Sequence, residues 1–322
     1  MAARRAFLFP GQGSQQVGMG QALADSFAAA REVFQEVDEA LKDKLSRLMF
    51  EGPEDHLTLT ANAQPALMAV SVAVMRLVEK EGGKSLGEIA QCVAGHSLGE
   101  YSALTAAGSL GLADAARLLR LRGESMQRAV PVGTGAMAAI LMLDLDAVRA
   151  IAAQAAKESG ATCDVANDNA PGQVVVSGAK AAVEKAVELA TKHGEATKAR
   201  VKCMMLPVSA PFHCAMMKPA AEVMAEALAK VTLRPPAVPV VANVTAAPVA
   251  TPDEIRRLLV EQVCSTVRWR ESVLRMKADG IETAAELGAG KVLAGLVKRI
   301  DKDVAATSVG TPQELEAFLK TL

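Results

Sequence analysis

The pentapeptide Gly95-His96-Ser97-Leu98-Gly99 constrains this chain more than any other stretch, because of what surrounds it. A short apolar run, Ile89 to Ala94, leads into it, and a run of good helix formers follows. Strand, sharp turn and helix in that order are the setting in which G-x-S-x-G forms a nucleophile elbow. Glycine is needed at 95 and 99 because a Cβ at either position would collide with a neighbouring strand or helix. The Ser97 hydroxyl is then held beside backbone N–H groups at a helix N-terminus, where an oxyanion would form. A second match, Gly83-Lys84-Ser85-Leu86-Gly87, tests the motif. Ser85 follows the charged end of a helix and precedes the strand, so setting favours Ser97. The bland alternative for Ser97 is a tight strand-to-helix turn with no chemistry.

Composition narrows the rest. The 322 residues suffice for one large domain or two modest ones, and 51% hydrophobic with 22% charged residues describes an ordinary globular protein. Thirty-five Lys plus Arg against 36 Asp plus Glu leaves no basic excess to attract nucleic acid, so any acidic partner needs a local basic patch. Five scattered cysteines (Cys92, Cys163, Cys203, Cys214, Cys264) fit neither a disulfide framework nor a zinc site, and no metal is expected. Pro10 and Gly11 end the apolar start too early for a signal-peptide core, and no apolar segment reads as a membrane span. A cytoplasmic protein with no membrane partner is expected.

Taken in order, Ala6 to Phe9 reads as a strand, and Gly11 to Gln16 as a loop rich in glycine and amides, suited to backbone donors. Pro65 reads as the first residue of an apolar helix running to Lys80, with Gln64 just before it as a cap or a site residue. A helix around Asp114 to Met126 has the inward stripe Ala115, Leu118, Leu119, Arg122 and Met126. Arg122 stands where the 3.6 period calls for an apolar residue, so it either meets an anionic ligand, forms an internal salt bridge or snorkels from the edge of the stripe.

From 130 to 205 the pattern becomes β-α-β-β-α-β, the split βαβ of a ferredoxin-like subdomain. It interrupts an α/β-hydrolase-like catalytic domain with a parallel sheet, formed by 1–129 and 206–322. In the second half, Ser209 to Cys214 is a loop before a helix, Val238 to Val244 a strand, and Thr251-Pro252-Asp253-Glu254 a capping box. Gly288-Ala289-Gly290-Lys291 lacks both the first glycine and the Ser or Thr of a phosphate loop.

A serine needs a base, and histidine suits neutral pH. Of four histidines, His56 and His193 lie in polar segments, and His96 is Ser97's neighbour on a sharp turn, where side chains point apart. His213 remains as the candidate base. No carboxylate announces itself as a third member, and a backbone carbonyl could orient the ring instead.

At this point the residues resemble a known family. FPGQGSQ (Phe9 to Gln15), AQPAL (Ala63 to Leu67), GHSLGEYSAL (Gly95 to Leu104), LRG with MQ and GTGAM (Leu121 to Met137), NAPGQVVVSG (Asn169 to Gly178), FHCAMMKPAA (Phe212 to Ala221) and ELGAGKVLAGL (Glu286 to Leu296) are similar to the malonyl-CoA:acyl carrier protein transacylases. The resemblance implies that Ser97 attacks malonyl-CoA and that His213 acts as base and then acid. It implies an oxyanion hole of the Gln12 and Leu98 N–H groups, Arg122 as partner of the malonyl carboxylate, and Gln64 at the substrate. Phe212 resembles malonyl-selecting members, where its bulk disfavours an α-methyl branch. The family's histidine-orienting main-chain carbonyl falls on Arg268, where glutamine is common, and Ala289 replaces a common proline. Acyl carrier protein is then the partner, transfer is ping-pong, no cofactor is needed, and a monomer is expected. Two other readings use the same residues: a serine esterase or thioesterase, and a non-catalytic acyl-CoA-binding subunit.

Overall fold

The computed structural model describes residues 4–208 and 210–322; Met1–Ala3 and Ser209, which opens the loop before His213, lie outside the described residues. Two sheets organise the chain. The larger contains β1 (Arg5–Phe9), β2 (Cys92–Gly95), β7 (Val240–Val241), β8 (Pro248–Val249), β9 (Thr283–Leu287) and β10 (Ala305–Val309), in the order β10-β9-β1-β2-β7-β8. Every neighbouring pair is parallel except β7 and β8. The continuous apolar run of β1 follows from its central place, since a strand covered on both faces has no polar side to show. Phe7 and Phe9 enter one core with Leu67, Val70 and Leu104, while Ala6 and Leu8 enter the other with Trp269, Val273 and Leu293.

The smaller sheet holds β3 (Gly135–Leu141), β4 (Cys163–Ala170), β5 (Gln173–Ala179) and β6 (Lys202–Met205), all antiparallel, in the order β4-β5-β3-β6. With helices Leu145–Ser159 and Lys180–Thr197 on one face, this is the ferredoxin-like arrangement expected from the element order. Its other face contributes Met137, Ala139 and Val175 to the main core. β4 is also tied to the larger unit: Val267 N donates to Ala166 O, Asp168 N donates to Val267 O, and Arg270 pairs with buried Asp168.

Several local expectations are corrected. The apolar helix runs Thr60–Gly82, so Pro65 lies inside it and Gln64 is a buried helical residue rather than a cap. One missing N–H is tolerated because tight packing against the helix Leu112–Arg128 holds the first turn in place. By length and composition the helix Thr60–Gly82 could cross a membrane, against the expectation from sequence, but 83% of its most apolar window is buried inside this fold. Thr251 caps the helix Pro252–Gln262 without a side-chain bond, so the expected capping box is not formed. A capping box does form at the decoy serine: Ser85 and Glu88 bond reciprocally at the start of the short helix Leu86–Ile89. The strand expected over 238–244 shrinks to two residues. Beyond them the Asn243 N–H donates to Glu100 and its carbonyl accepts from Arg268, so neither joins a ladder. Glu286 accepts from Ala294 N at the start of helix Val292–Ile300, filling with a carboxylate the place a phosphate loop would offer to phosphate.

The two glycine-flanked serines give a direct test of the packing. A Cβ on Gly99 would lie 2.2 Å from Phe9 O, and one on Gly95 would lie 1.9 Å from Gly99 backbone atoms. One on Gly87 would meet nothing within 4 Å. Thermal or urea unfolding should therefore show Gly95→Ala and Gly99→Ala destabilised by about 3 kcal/mol or more, as overpacking against backbone requires, with Gly87→Ala close to wild type.

Candidate active site

Ser97 stands between β2 and the helix Leu98–Ala106 with φ 54 and ψ −110, a strained conformation for a residue with a Cβ. Asn243 spans the turn: its Nδ2 donates to Gly95 O at 2.7 Å, and its Oδ1 accepts from Ser97 N at 2.7 Å. Its own N–H is held by Glu100 Oε2 at 3.0 Å. His96 points away from the serine's partner, its Nε2 lying 2.9 Å from Asn169 Oδ1.

His213 reaches the serine from the loop ahead of the helix Lys218–Leu228, also at positive φ. Its Nε2 lies 2.8 Å from Ser97 Oγ, and its Nδ1 lies 2.9 Å from the Gln262 carbonyl. A carbonyl can only accept, so Nδ1 carries the proton and Nε2 is free to take that of Ser97. The orienting carbonyl is thus that of Gln262 and not of Arg268. The reason is helix geometry: Gln262 ends the helix Pro252–Gln262, and carbonyls in a last turn lack intrahelical partners. Arg268 O instead accepts from Ser272 N at 2.9 Å as the helix Trp269–Ala278 begins, and its side chain pairs with Glu271. Burial pushes the His213 imidazolium down to about 3; the Arg122 charge adds to this, and the Gln262 carbonyl opposes it.

Arg122 is 1% exposed and forms no ion pair among the described residues, which removes the internal salt bridge as its explanation. Its Nη1 donates to Gln64 Oε1 at 2.9 Å, and its Nη2 donates to Gln262 Oε1 at 2.8 Å and to Ser97 Oγ at 3.1 Å. Among the described residues, its buried Nε has no hydrogen-bond partner. Gly123 permits this meeting of helices, because a Cβ there would lie 2.6 Å from Ala61 Cα. The carboxylate of Glu100 is pushed up to about 7 by burial, against the bonds it accepts from Gln262 and Asn243 and the nearby charge of Arg122.

Gln262 is the residue that sequence reasoning missed. Beyond orienting His213 and holding Arg122, its Nε2 donates to Ser97 O at 3.0 Å and to Glu100 Oε2 at 2.9 Å. The signal was present: on its helix the inward stripe reads Ile255, Leu258, Leu259, Gln262, a polar residue out of register as Arg122 is.

Gln12, Gln64, Ser97, Leu98, Arg122, Phe212 and His213 line one cavity of about 340 Å³, completed by Met126, Met137, Leu206 and Val208. Its size suits a small acyl group and part of a thiol arm. A larger cleft of about 900 Å³ lies between the ferredoxin-like unit and the helix Trp269–Ala278, but ion pairs line it and it holds no activated nucleophile. Ser85 lies outside the site, and His56 and His193 are exposed.

Comparison with known proteins agrees with this constellation. The acyl transferase domain family matches residues 6–320. The malonyl CoA-acyl carrier protein transacylase of Bacillus subtilis is 45% identical over 324 residues, covering 98% of this chain and 96% of that protein. The Escherichia coli K12 protein of the same name is 47% identical, with 98% of each covered. The crystal structure of acyl-carrier-protein-S-malonyltransferase from Bartonella henselae superposes with a TM-score of 0.94 at 54% identity, covering 98% of both chains. A malonyl-transacylase solved with its holo type II polyketide acyl-carrier protein superposes at 0.93 with 40% identity, covering 99% of this chain and 100% of that one. With its elbow, histidine and buried arginine assembled in one cavity, the chain belongs to the acyl transferase domain family, among the malonyl-CoA:acyl carrier protein transacylases.

Proposed function

We propose that this chain transfers the malonyl group of malonyl-CoA to the phosphopantetheine thiol of acyl carrier protein, through an acyl-Ser97 intermediate, in fatty acid biosynthesis. The observation that carries the reading is the line from the Gln262 carbonyl through His213 to Ser97 Oγ, with the Arg122 guanidinium 3.1 Å from that same oxygen. His213 Nε2 takes the hydroxyl proton as Oγ bonds to the thioester carbon. The N–H groups of Gln12 and Leu98 receive the oxyanion, the C–S bond breaks, and His213 returns the proton to the departing thiolate. The carrier's thiol then gives its proton to His213 and attacks the ester, and Ser97 recovers its hydroxyl. One thioester replaces another, so no cofactor is required.

In this reading Arg122, held by Gln64, pairs with the malonyl carboxylate, and a desolvated arginine left unpaired by acetyl-CoA disfavours that substrate. Phe212 stands beside the α-carbon. Residues 1–129 and 206–322 form the catalytic domain and 130–205 the inserted subdomain, of a cytoplasmic monomer with no nucleic acid or membrane partner. A serine esterase or thioesterase would have no use for Arg122, and a non-catalytic subunit would have none for the Ser97–His213 contact.

Incubation with malonyl-CoA should place a malonyl adduct on Ser97, seen by mass spectrometry of the peptide, and holo-carrier should discharge it faster than water does. Hydrolysis without transfer would mean a thioesterase, and no adduct a binding subunit. Arg122→Ala should lower kcat/KM for malonyl-CoA roughly a hundred-fold, the scale for one partner of a desolvated ion pair, and shift preference toward acetyl-CoA. Unchanged selectivity would remove Arg122 from this role.

The pH dependence follows from His213. Its folded pKa lies below that of the free side chain, so the base form is present throughout the neutral range and is lost only as pH falls toward about 3. The acid limb of kcat/KM for loading should therefore lie well below the ordinary imidazole value, with most of the neutral rate kept at mildly acidic pH. The same depression stabilises the fold above the free imidazole's pKa, and that contribution is lost as pH falls from there toward about 3. An acid limb at the ordinary histidine value, measured with malonyl-CoA well below KM, would contradict it.

A further inference from the structure

Among the described residues, the Ser97 hydroxyl bonds two polar groups. His213 Nε2 lies 2.8 Å from Oγ, and Arg122 Nη2 donates to the same oxygen at 3.1 Å. The guanidinium is held on two sides by neutral side-chain carbonyls, Gln64 and Gln262, and its buried Nε has no hydrogen-bond partner among those residues. A full positive charge thus rests against the atom that must become the nucleophile, and among the described residues no carboxylate forms an ion pair with it; the buried Glu100, whose carboxyl is pushed up to about 7 by burial, reaches it only through space.

Two costs follow. A lone pair of Oγ is engaged by a cationic donor, which lowers its reactivity. Proton transfer to His213 would also set an imidazolium beside a guanidinium in a site sheltered from water, where like charges repel strongly. The acyl group named in the proposed function changes both. In a malonyl thioester the carboxylate carbon lies about 2.5 Å from the carbon under attack, by ordinary bond lengths and angles. An acyl group seated for attack by Oγ therefore brings its carboxylate against the guanidinium. A carboxylate outcompetes a neutral hydroxyl for the same N–H, and it cancels the charge.

We propose that the substrate's own carboxylate switches the nucleophile on, by drawing the Arg122 guanidinium off Ser97 Oγ and neutralising it, so that carboxylated acyl groups are selected in the rate of acylation as well as in binding. This rests on the reading of Ser97 as the nucleophile. An acyl-CoA without a carboxylate meets an Oγ still held by Arg122. A passive arginine pocket predicts the opposite for a free carboxylate, which would only occupy space.

The test labels Ser97 with methanesulfonyl fluoride, a small neutral reagent: Oγ bonds to sulfur, fluoride leaves, and the proton passes to His213. Labelling of the full chain is followed by intact mass with and without sodium acetate, at matched ionic strength. The acetate concentration is one that saturates its competition with malonyl-CoA. Acetate should speed labelling about ten-fold, the scale of freeing an oxygen from one charge-assisted hydrogen bond. The midpoint of the labelling pH profile should rise as well, because His213 gains basicity. Arg122→Met should label fast without acetate and ignore it; if that variant does not fold, the wild-type acetate dependence decides alone. Labelling that acetate slows or leaves unchanged would overturn the switch. A missing malonyl adduct would instead overturn the transacylase reading, and the two failures are distinct because the sulfonyl fluoride needs no acyl-CoA.

Discussion

The grip of Asn243 on both sides of the elbow is the interaction on which the site depends. Ser97 at positive φ carries strain of about 1–3 kcal/mol, which persists only where the surroundings overdetermine it. One side chain bonds Gly95 O and Ser97 N, and its own backbone is fixed by Glu100 from the following helix. Strand, turn and helix are thereby locked to one another. Asn243 can do this because it lies just past the end of β7, beside β2, so the larger sheet delivers it there. The short β7 is a consequence, since backbone groups used to brace the elbow cannot also extend a ladder.

Gln262 extends the brace to the other two functional side chains. A primary amide offers both donors and an acceptor without charge, so it can serve Ser97 O, Glu100 and Arg122 together while its main-chain carbonyl faces His213. Glutamate there would lack the donors that Ser97 O requires. Lysine would add a second cation beside Arg122. The network joins the elbow and its helix, the helix Leu112–Arg128, the His213 loop and the helix Pro252–Gln262, and Gln262, Glu100, Arg122 and His213 are buried, so each bond among them is strong and each loss costly.

How much of this could be read from sequence depends on how local the signal is. The elbow and the rejection of Ser85 rest on a few neighbouring residues, and His213 was reached by elimination among four histidines. Arg122 stood out because a charge broke an apolar stripe. Gln262 broke its stripe in the same way, yet a neutral amide at a helix end looks like an ordinary surface residue until tertiary contacts bury it. The family resemblance placed the histidine's partner at Arg268, although a helix C-terminus is where a free carbonyl belongs. Asn243 gave no local signal, because its neighbours read as a strand. The split βαβ unit was legible from element order, with helix ends displaced by a few residues. Pro65 was misplaced because a proline rule for isolated helices yields to packing against a second helix.

The apolar rim completes the argument about chemistry. Met126, Met137, Leu206, Val208 and Phe212 line the cavity beside Gln12, Gln15, Thr58, Gln64, Asn167 and the reacting groups, so its wall has an apolar side and a polar side. In the proposed reaction an ester on Ser97 must outlast the exchange of one thiol for another, and the apolar side of the cavity favours a long flexible thiol arm over water. Burial of Arg122 and His213 makes the charge of the one and a proton on the other costly, because neither is screened. A site that buries a cation beside its base must therefore receive its compensating charge from elsewhere, and an acyl group that carries a carboxylate brings one with it.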